Sequence, residues 1–255
     1  MIELKGVSKS YRGTMVLPAL DLTIAAGSTT VLIGPSGCGK STLLRLMIGL
    51  LRPDSGRVMI DGAELTPSTV LDIRRGFGYV IQDGGLFPHL TARKNVVLMA
   101  RQLGWDKPRI ERRLSELSAL TRFPSDGLDR YPAQLSGGQR QRLSLMRALM
   151  LDPKVVLLDE PLSALDPMVR AELQVDLRSI FRALEKTVVL VTHDLAEAGW
   201  FGHEIILLRA GLIIQRGSIA ELVTAPAEPF VTQFVRAQRQ ILDLAASDDV
   251  AQEDA

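Results

Sequence analysis

Residues Gly34 to Ser41 spell GPSGCGKS, the G-x-x-x-x-G-K-[ST] spacing that suits a polyphosphate. Its glycines free backbone N–H groups to wrap phosphate oxygens, and a helix beginning near Lys40 points its positive end at the same anion. Gly34, Pro35, Ser36, Gly37, Cys38, Gly39, Lys40, Ser41 and Thr42 are the expected cradle for a nucleotide's phosphates. Lys40 is expected at the β- and γ-phosphates and the Ser41 hydroxyl at Mg2+. Asp159 and Glu160 close the apolar run VVLL. A carboxylate at the C-terminal end of such a strand faces the ligand crevice of an open α/β sheet. Asp159 suits Mg2+, directly or through water, and Glu160 suits the attacking water.

A second glycine element, LSGGQ from Leu135 to Gln139, precedes the helix formers RQRLSLMRALM. Ser136 suits a helix N-cap and a donor to phosphate, and Gly137 and Gly138 leave no side chain between backbone and anion. Taken alone, an ordinary N-cap turn explains the stretch as well. The first cradle implies a Mg-nucleotide kinase or hydrolase. A small-molecule kinase needs an acceptor pocket; a second phosphate-type element argues against that reading. His193 ends the apolar run TVVLVT and so is placed for the crevice, whereas His89 and His203 have no cluster partners and no zinc site is expected. Cys38 sits at a helix N-terminus, where a thiolate is favoured. With no resolving cysteine, a small residue that fits the loop is preferred over a redox sensor.

These residues need elements to hold them. TTVLIGPSG followed by KSTLLRLMIGL is a strand–loop–helix unit. The continuous apolar runs at 155–161 and 187–194 suit strands buried on both faces, as in a parallel sheet. Between them Val169, Leu173, Leu177, Ile180 and Leu184 recur at helical spacing, completing a βαβ crossover. EIILLRAGLIIQRGS predicts a hairpin turning near Ala210-Gly211. Residues from about 84 to 150 predict a helical insertion, and the first 25 residues with RVMIDG (57–62) a small antiparallel layer. The acidic, small-residue end AASDDVAQEDA predicts a disordered tail.

The chain has 255 residues and is 46% hydrophobic, enough for one large domain with a subdomain. A net charge of +1 sets no global field toward nucleic acid, which is not an expected partner. MIELKGVSKSY carries no apolar signal segment, no run reaches 18 apolar residues, and the single cysteine allows no internal disulfide. A cytoplasmic protein is the expectation.

In this order the motifs (cradle, LSGGQ, hydrophobic-Asp-Glu, SALD, His193) make the chain resemble the nucleotide-binding subunit of ABC transporters over residues 1–235. The resemblance implies an α/β fold with a P-loop NTPase (RecA-like) core at 1–83 and 151–235, an N-terminal antiparallel β-layer and an inserted helical subdomain at about 84–150. Residues 236–255 would be a helix end and tail. It implies a homodimer or paralogue dimer in which each cradle pairs with the partner's LSGGQ around ATP. Tyr11 would stack on adenine, although a strand-end tyrosine explains it too. Gln82 would approach Mg2+ and the attacking water and couple them to the helical insertion. Ser163, Ala164, Leu165 and Asp166 would cross the dimer interface, His193 would contact the γ-phosphate, and Glu160 would polarise water.

The resemblance also implies a membrane permease docked near Leu86, Phe87 and Leu90, for which local core packing is the alternative. The protein would sit peripherally on the inner face of the cell membrane and serve a substrate-binding protein indirectly. YVIQDGGLFPHLTARKNV and TAPAEPFVTQFV look like the glycine betaine/choline/proline importer ATPases. Another importer, a two-component exporter or a lipid-trafficking system is the alternative. The chain ends about 20 residues after FVTQFV, so the ionic-strength-sensing domains of many such relatives are not expected. SLMRALM is bulkier than the family's usual small residues, and Met146 and Met150 are expected to repack the helix.

Overall fold

The computed structural model describes residues 1–82 and 84–238, and within a helix leaves the Leu184 side chain undescribed. The expected tail, and the part of the segment 236–255 beyond residue 238, lie outside the described residues.

β1 (Ile2–Tyr11) and β2 (Thr14–Ile24) form an antiparallel hairpin, and β3 (Thr29–Ile33) leads through the GPSGCGKS loop into α1 (Lys40–Met47). β4 (Ser55–Ile60), β5 (Ala63–Glu64), α2 (Val70–Arg75) and β6 (Phe77–Val80) follow. Between β6 and the next strand lie α3 (Ala92–Gln102), α4 (Lys107–Leu120) and α5 (Gly137–Leu149), with no strand among the described residues. β7 (Val155–Asp159), α6 (Pro167–Leu184), β8 (Thr187–Val191), α7 (Leu195–Phe201), β9 (Glu204–Arg209), β10 (Leu212–Gly217) and α8 (Ile219–Thr224) complete the named elements. Residues 229–238 are helical.

Two sheets result. The smaller has order β2-β1-β4-β5 and is antiparallel. The larger has order β10-β9-β3-β8-β7-β6; its strands are parallel except β10, which closes the hairpin through Ala210 and Gly211. β3, β7 and β8 are buried at every residue. Alternate side chains enter different cores: Val156 and Leu158 join the helices α3 to α7, while Val155 and Leu157 join α1 and the antiparallel sheet. A strand with apolar layers on both faces needs an unbroken apolar sequence, which explains the continuous runs.

α6 buries Leu173, Leu177 and Ile180 against the sheet, with Val169 half-buried. A charged cluster joins α6 to the helices between β6 and β7. The Asp176 carboxylate, 4% exposed, lies 2.7 Å from Arg122 and 2.6 Å from Arg142, although the Arg142 contact lacks the alignment of a hydrogen bond. Arg142 also donates to Thr121 O at 2.7 Å and to Glu172 at 2.9 Å. Such a buried pair mainly selects one arrangement of the helices, because desolvation offsets much of its attraction. Met146 and Met150 are fully buried in the same core, so their bulk is taken up by packing.

β6 approaches α5 so closely that a Cβ on Gly78 would lie 2.5 Å from the Ala148 carbonyl oxygen. Gly78→Ala is therefore expected to cost about 1–3 kcal/mol through overpacking, read as a lowered denaturation midpoint. An unchanged midpoint would show that the strand and helix are free to separate.

Candidate functional site

The cradle turns from β3 into α1 between the two sheets. Gly39 has φ 105°, in the left-handed region, and a Cβ there would stand 2.6 Å from Leu17 of β2. A larger residue would both strain the turn and strike the antiparallel layer. The Lys40 ammonium donates to the carbonyls of Gly34 at 2.8 Å and Pro35 at 3.0 Å, so the loop holds its cation over the ring of backbone that wraps an anion. Thr42 is buried in the first turn of α1.

Cys38 is buried, and a Cβ on Gly34 would lie 3.0 Å from its sulfur. Burial pushes its thiol up, with the Lys40 charge pulling part of the way back. Enclosure, with burial disfavouring the thiolate, suits a residue that fills space within the loop better than a redox sensor.

Ser41 and Asp159 meet although 118 residues separate them: the Ser41 hydroxyl donates to Asp159 Oδ1 at 2.9 Å. The Tyr79 hydroxyl reaches Oδ2 at 3.5 Å. Burial raises the Asp159 carboxyl, and the Ser41 bond and the Arg45 charge lower it again. A half-buried hydroxyl and a buried carboxylate, both hard oxygen donors, form a corner beside the cradle, a donor set that fits Mg2+. Sequence reasoning missed Tyr79 and Arg45; the one available signal was a tyrosine at the end of a strand neighbouring β7.

Glu160 leaves β7 with φ 46°, in the left-handed region where a non-glycine residue is uncommon. Its N–H donates to Val191 O at 3.0 Å, locking the ends of β7 and β8 together, and its carbonyl accepts the Ser163 hydroxyl at 3.0 Å. Glu160 Oε2 lies 3.3 Å from His193 Nδ1 and accepts from Gln82 Nε2 at 3.4 Å. Strand β6 stops at Val80, two residues before Gln82, so Gln82 sits in a turn. Gln82 makes no hydrogen bond to Ser41 or Asp159 among the described residues. The turn after it is held by α5: Ser144 donates to Gly84 O at 2.9 Å, and Arg147 donates to Gly85 O at 2.6 Å and Gly84 O at 2.8 Å.

LSGGQ stands apart. Ser136 caps α5, accepting from the Gln139 N–H at 3.2 Å while Gln139 Oε1 accepts from the Ser136 N–H at 3.0 Å. The serine proton remains available to donate. A Cβ on Gly138 would lie 2.7 Å from Val169, and one on Gly137 3.2 Å from Leu165. The two glycines therefore let α5 close onto the 163–166 segment as well as baring backbone. Leu135 is buried, and its carbonyl accepts from Arg140 at 2.6 Å. Asp166 caps α6 through the Val169 N–H at 3.0 Å. Among the described residues no hydrogen bond joins LSGGQ to the cradle. Tyr11 ends β1, 39% exposed, with the Lys9 ammonium 6.0 Å from its ring. His203 accepts from the Thr29 N–H at 3.0 Å and pins β3 to the start of β9.

Leu86 packs against the core, whereas Phe87 is 41% exposed. Phe87 lines a groove of about 660 Å3 with Leu98, Met99, Leu103, Leu71 and Arg147. Core packing thus accounts for Leu86, while Phe87 is left exposed and Leu90 is half-buried.

The burial of Cys38 yields a test. In the folded chain a soluble thiol reagent is expected to react at least tenfold more slowly than in denaturant. Equal rates would return the thiol to the surface.

Comparison with known proteins matches residues 17–163 to the family ABC transporter. The chain is 43% identical over 242 residues to the glycine betaine/carnitine/choline transport ATP-binding protein of Bacillus subtilis, covering 94% of this chain and 64% of that one. It is 44% identical over 234 residues to a sulfate/thiosulfate import ATP-binding protein of Thermosynechococcus vestitus, covering 92% and 69%. The dimeric structure of a bacterial ABC transporter cassette superposes with a TM-score of 0.78 at 34% identity, over 86% of this chain and 99% of that one. The chain thus spans 64% of the length of the first relative. With the cradle, the Ser41–Asp159 corner, the Glu160 cluster and LSGGQ laid out as above, the chain belongs to the ABC transporter family.

Proposed function

We propose that the chain is the Mg2+-dependent, ATP-hydrolysing subunit of an importer, working as a dimer beneath a separate membrane permease. The observation that carries this is the convergence of Gln82 and His193 on one oxygen of Glu160, beside the Ser41–Asp159 corner. Lys40 and the loop amides hold the phosphates, and Ser41 and Asp159 hold Mg2+. Bound there, the cation neutralises phosphate charge in the transition state. Glu160 accepts a hydrogen bond from the attacking water and orients it. His193 steadies Glu160 and the γ-phosphate, and Gln82 carries the state of the site to the α3–α5 helices. LSGGQ, apart from its own cradle, serves the cradle of a second copy, with Ser136 as a donor. Residues 163–166 lie at that interface and Tyr11 stacks on adenine.

The groove around Phe87 is the docking surface for the permease: it is open, joins apolar residues with Arg74, Arg75 and Arg147, and borders the turn that follows Gln82. Among the described residues no helix is long and apolar enough to cross a membrane, in keeping with a peripheral subunit on the inner face. Quaternary amines, delivered by a binding protein, are the proposed cargo. The relative named for glycine betaine, carnitine and choline and the phrase YVIQDGGLFPHLTARKNV support that reading. The sulfate/thiosulfate relative, at 44% identity against 43%, favours another importer as the second reading.

Glu160→Gln is expected to keep ATP binding and slow hydrolysis by roughly 100-fold or more, measured as phosphate release. Turnover near wild type would remove Glu160 from the water-orienting role. In cells lacking the protein, wild type is expected to restore uptake of labelled glycine betaine and Glu160→Gln to fail. Equal uptake in both would discard the cargo and leave the ATPase standing. Phe87→Glu is expected to abolish uptake while the isolated subunit hydrolyses ATP within about twofold of wild type. Retained uptake would remove the groove as the docking surface.

A further inference from the structure

Arg170 lies in the first turn of α6, four residues after Asp166, and its side chain leaves its own helix. Its Nε and Nη2 donate to Glu197 Oε1 at 2.8 and 2.6 Å, and Nη2 also donates to Asp194 Oδ2 at 2.9 Å. The other Glu197 oxygen accepts the Thr192 hydroxyl at 2.5 Å. The Asp194 N–H donates to Thr192 Oγ1 at 3.1 Å. Both neighbours of His193 therefore hang from one charged cluster centred on Arg170. The Glu197 side chain is 3% exposed, a buried charge whose cation comes from a different element.

Capping α7 does not require this arrangement. Asp194 Oδ1 alone accepts from the N–H groups of Ala196 at 2.7 Å and Glu197 at 3.1 Å. The leg from Thr192 through Glu197 to Arg170 adds nothing to that cap. What it does add is a tie between His193 and the segment 163–170. The other end of that segment is tied to Glu160, whose carbonyl accepts the Ser163 hydroxyl at 3.0 Å. One short stretch of chain thus grips both members of the Glu160–His193 pair, which stand 3.3 Å apart.

We propose that Arg170 is a positioning residue for ATP hydrolysis: through Glu197 and Asp194 it holds His193 against Glu160 and couples that pair to the 163–166 segment. This rests on the ATPase reading above. Among the described residues Arg170 has no hydrogen bond to residues 34–42, so its loss acts on turnover and leaves nucleotide binding in place.

The test compares wild type, Glu160→Gln, Arg170→Lys, Arg170→Met, and Arg170→Met paired with Glu197→Gln, in steady-state ATP hydrolysis and thermal denaturation of the full chain. Arg170→Met strands a buried carboxylate and is expected to lower stability; the paired variant neutralises that carboxylate and is expected to melt near wild type. The paired variant is nonetheless expected to lose kcat on the order of 10- to 100-fold, with KM for ATP within about threefold. Arg170→Lys, which keeps the charge without the two-pronged geometry, is expected to fall between. Wild-type kcat in the paired variant would make the cluster a matter of stability alone and overturn the proposal. So would a raised KM with kcat unchanged. If wild type shows no hydrolysis that Glu160→Gln removes, the ATPase reading itself falls.

Discussion

Four parallel strands end at one edge of the larger sheet, and every residue of the proposed reaction centre depends on that alignment. The cradle follows β3, Glu160 follows β7, His193 lies two residues past β8 and Gln82 two residues past β6. The order β3-β8-β7-β6 sets these four exits side by side, with Asp159 opposite Val191 in the register. Parallel pairing carries a chemical consequence. All strand ends of one polarity share an edge, so carbonyl-rich loops, helix N-termini and carboxylates gather at one crevice. A single register slip between β7 and β8 would turn Asp159 and Glu160 to opposite faces and dissolve the site.

Carboxylates buried at and near that edge show how the fold handles charge. Asp159 is met by Ser41 and Tyr79, Asp176 by Arg122 and Arg142, and Glu197 by Arg170 and Thr192. Each pair spans different elements. Isolated buried charge is costly, so each carboxylate admits only the arrangement that brings its partner. Asp159 differs in having, among the described residues, hydroxyl donors and no arginine ion pair, and burial raises its carboxyl. A cation placed in that corner would relieve the cost, which is the physical sense of a metal corner in an otherwise apolar layer.

Rigid connection and exposed edge divide along the same lines. α5 carries LSGGQ at its start and grips the turn after Gln82 with Ser144 and Arg147. α6 carries residues 163–166 at its start and grips the flanks of His193 with Arg170. The glycines of LSGGQ close against Leu165 and Val169, so the two helix starts present a joined surface. Packed helices thus link that surface to the neighbourhoods of Gln82 and His193, the two groups beside Glu160.

The sequence alone determined the main elements and the motif spacings. Strands fully covered on both faces must be continuously apolar, so TTVLI, VVLLD and TVVLV were legible, as were the α6 periodicity and the hairpin at Ala210-Gly211. The cradle and LSGGQ were legible because glycine spacing is a backbone requirement written locally. Tertiary structure alone decided what met what. Ser41 and Asp159 were each expected at the metal, but no spacing rule pairs Arg142 with Asp176 or Arg170 with Glu197, because those partners belong to elements brought together only by the sheet order and helix packing. The same holds for burial: Cys38 and Leu86 turn inward and Phe87 outward according to which neighbouring layer covers each position. Local sequence carries local conformation; long-range contact depends on the global packing of apolar faces, which no short window contains.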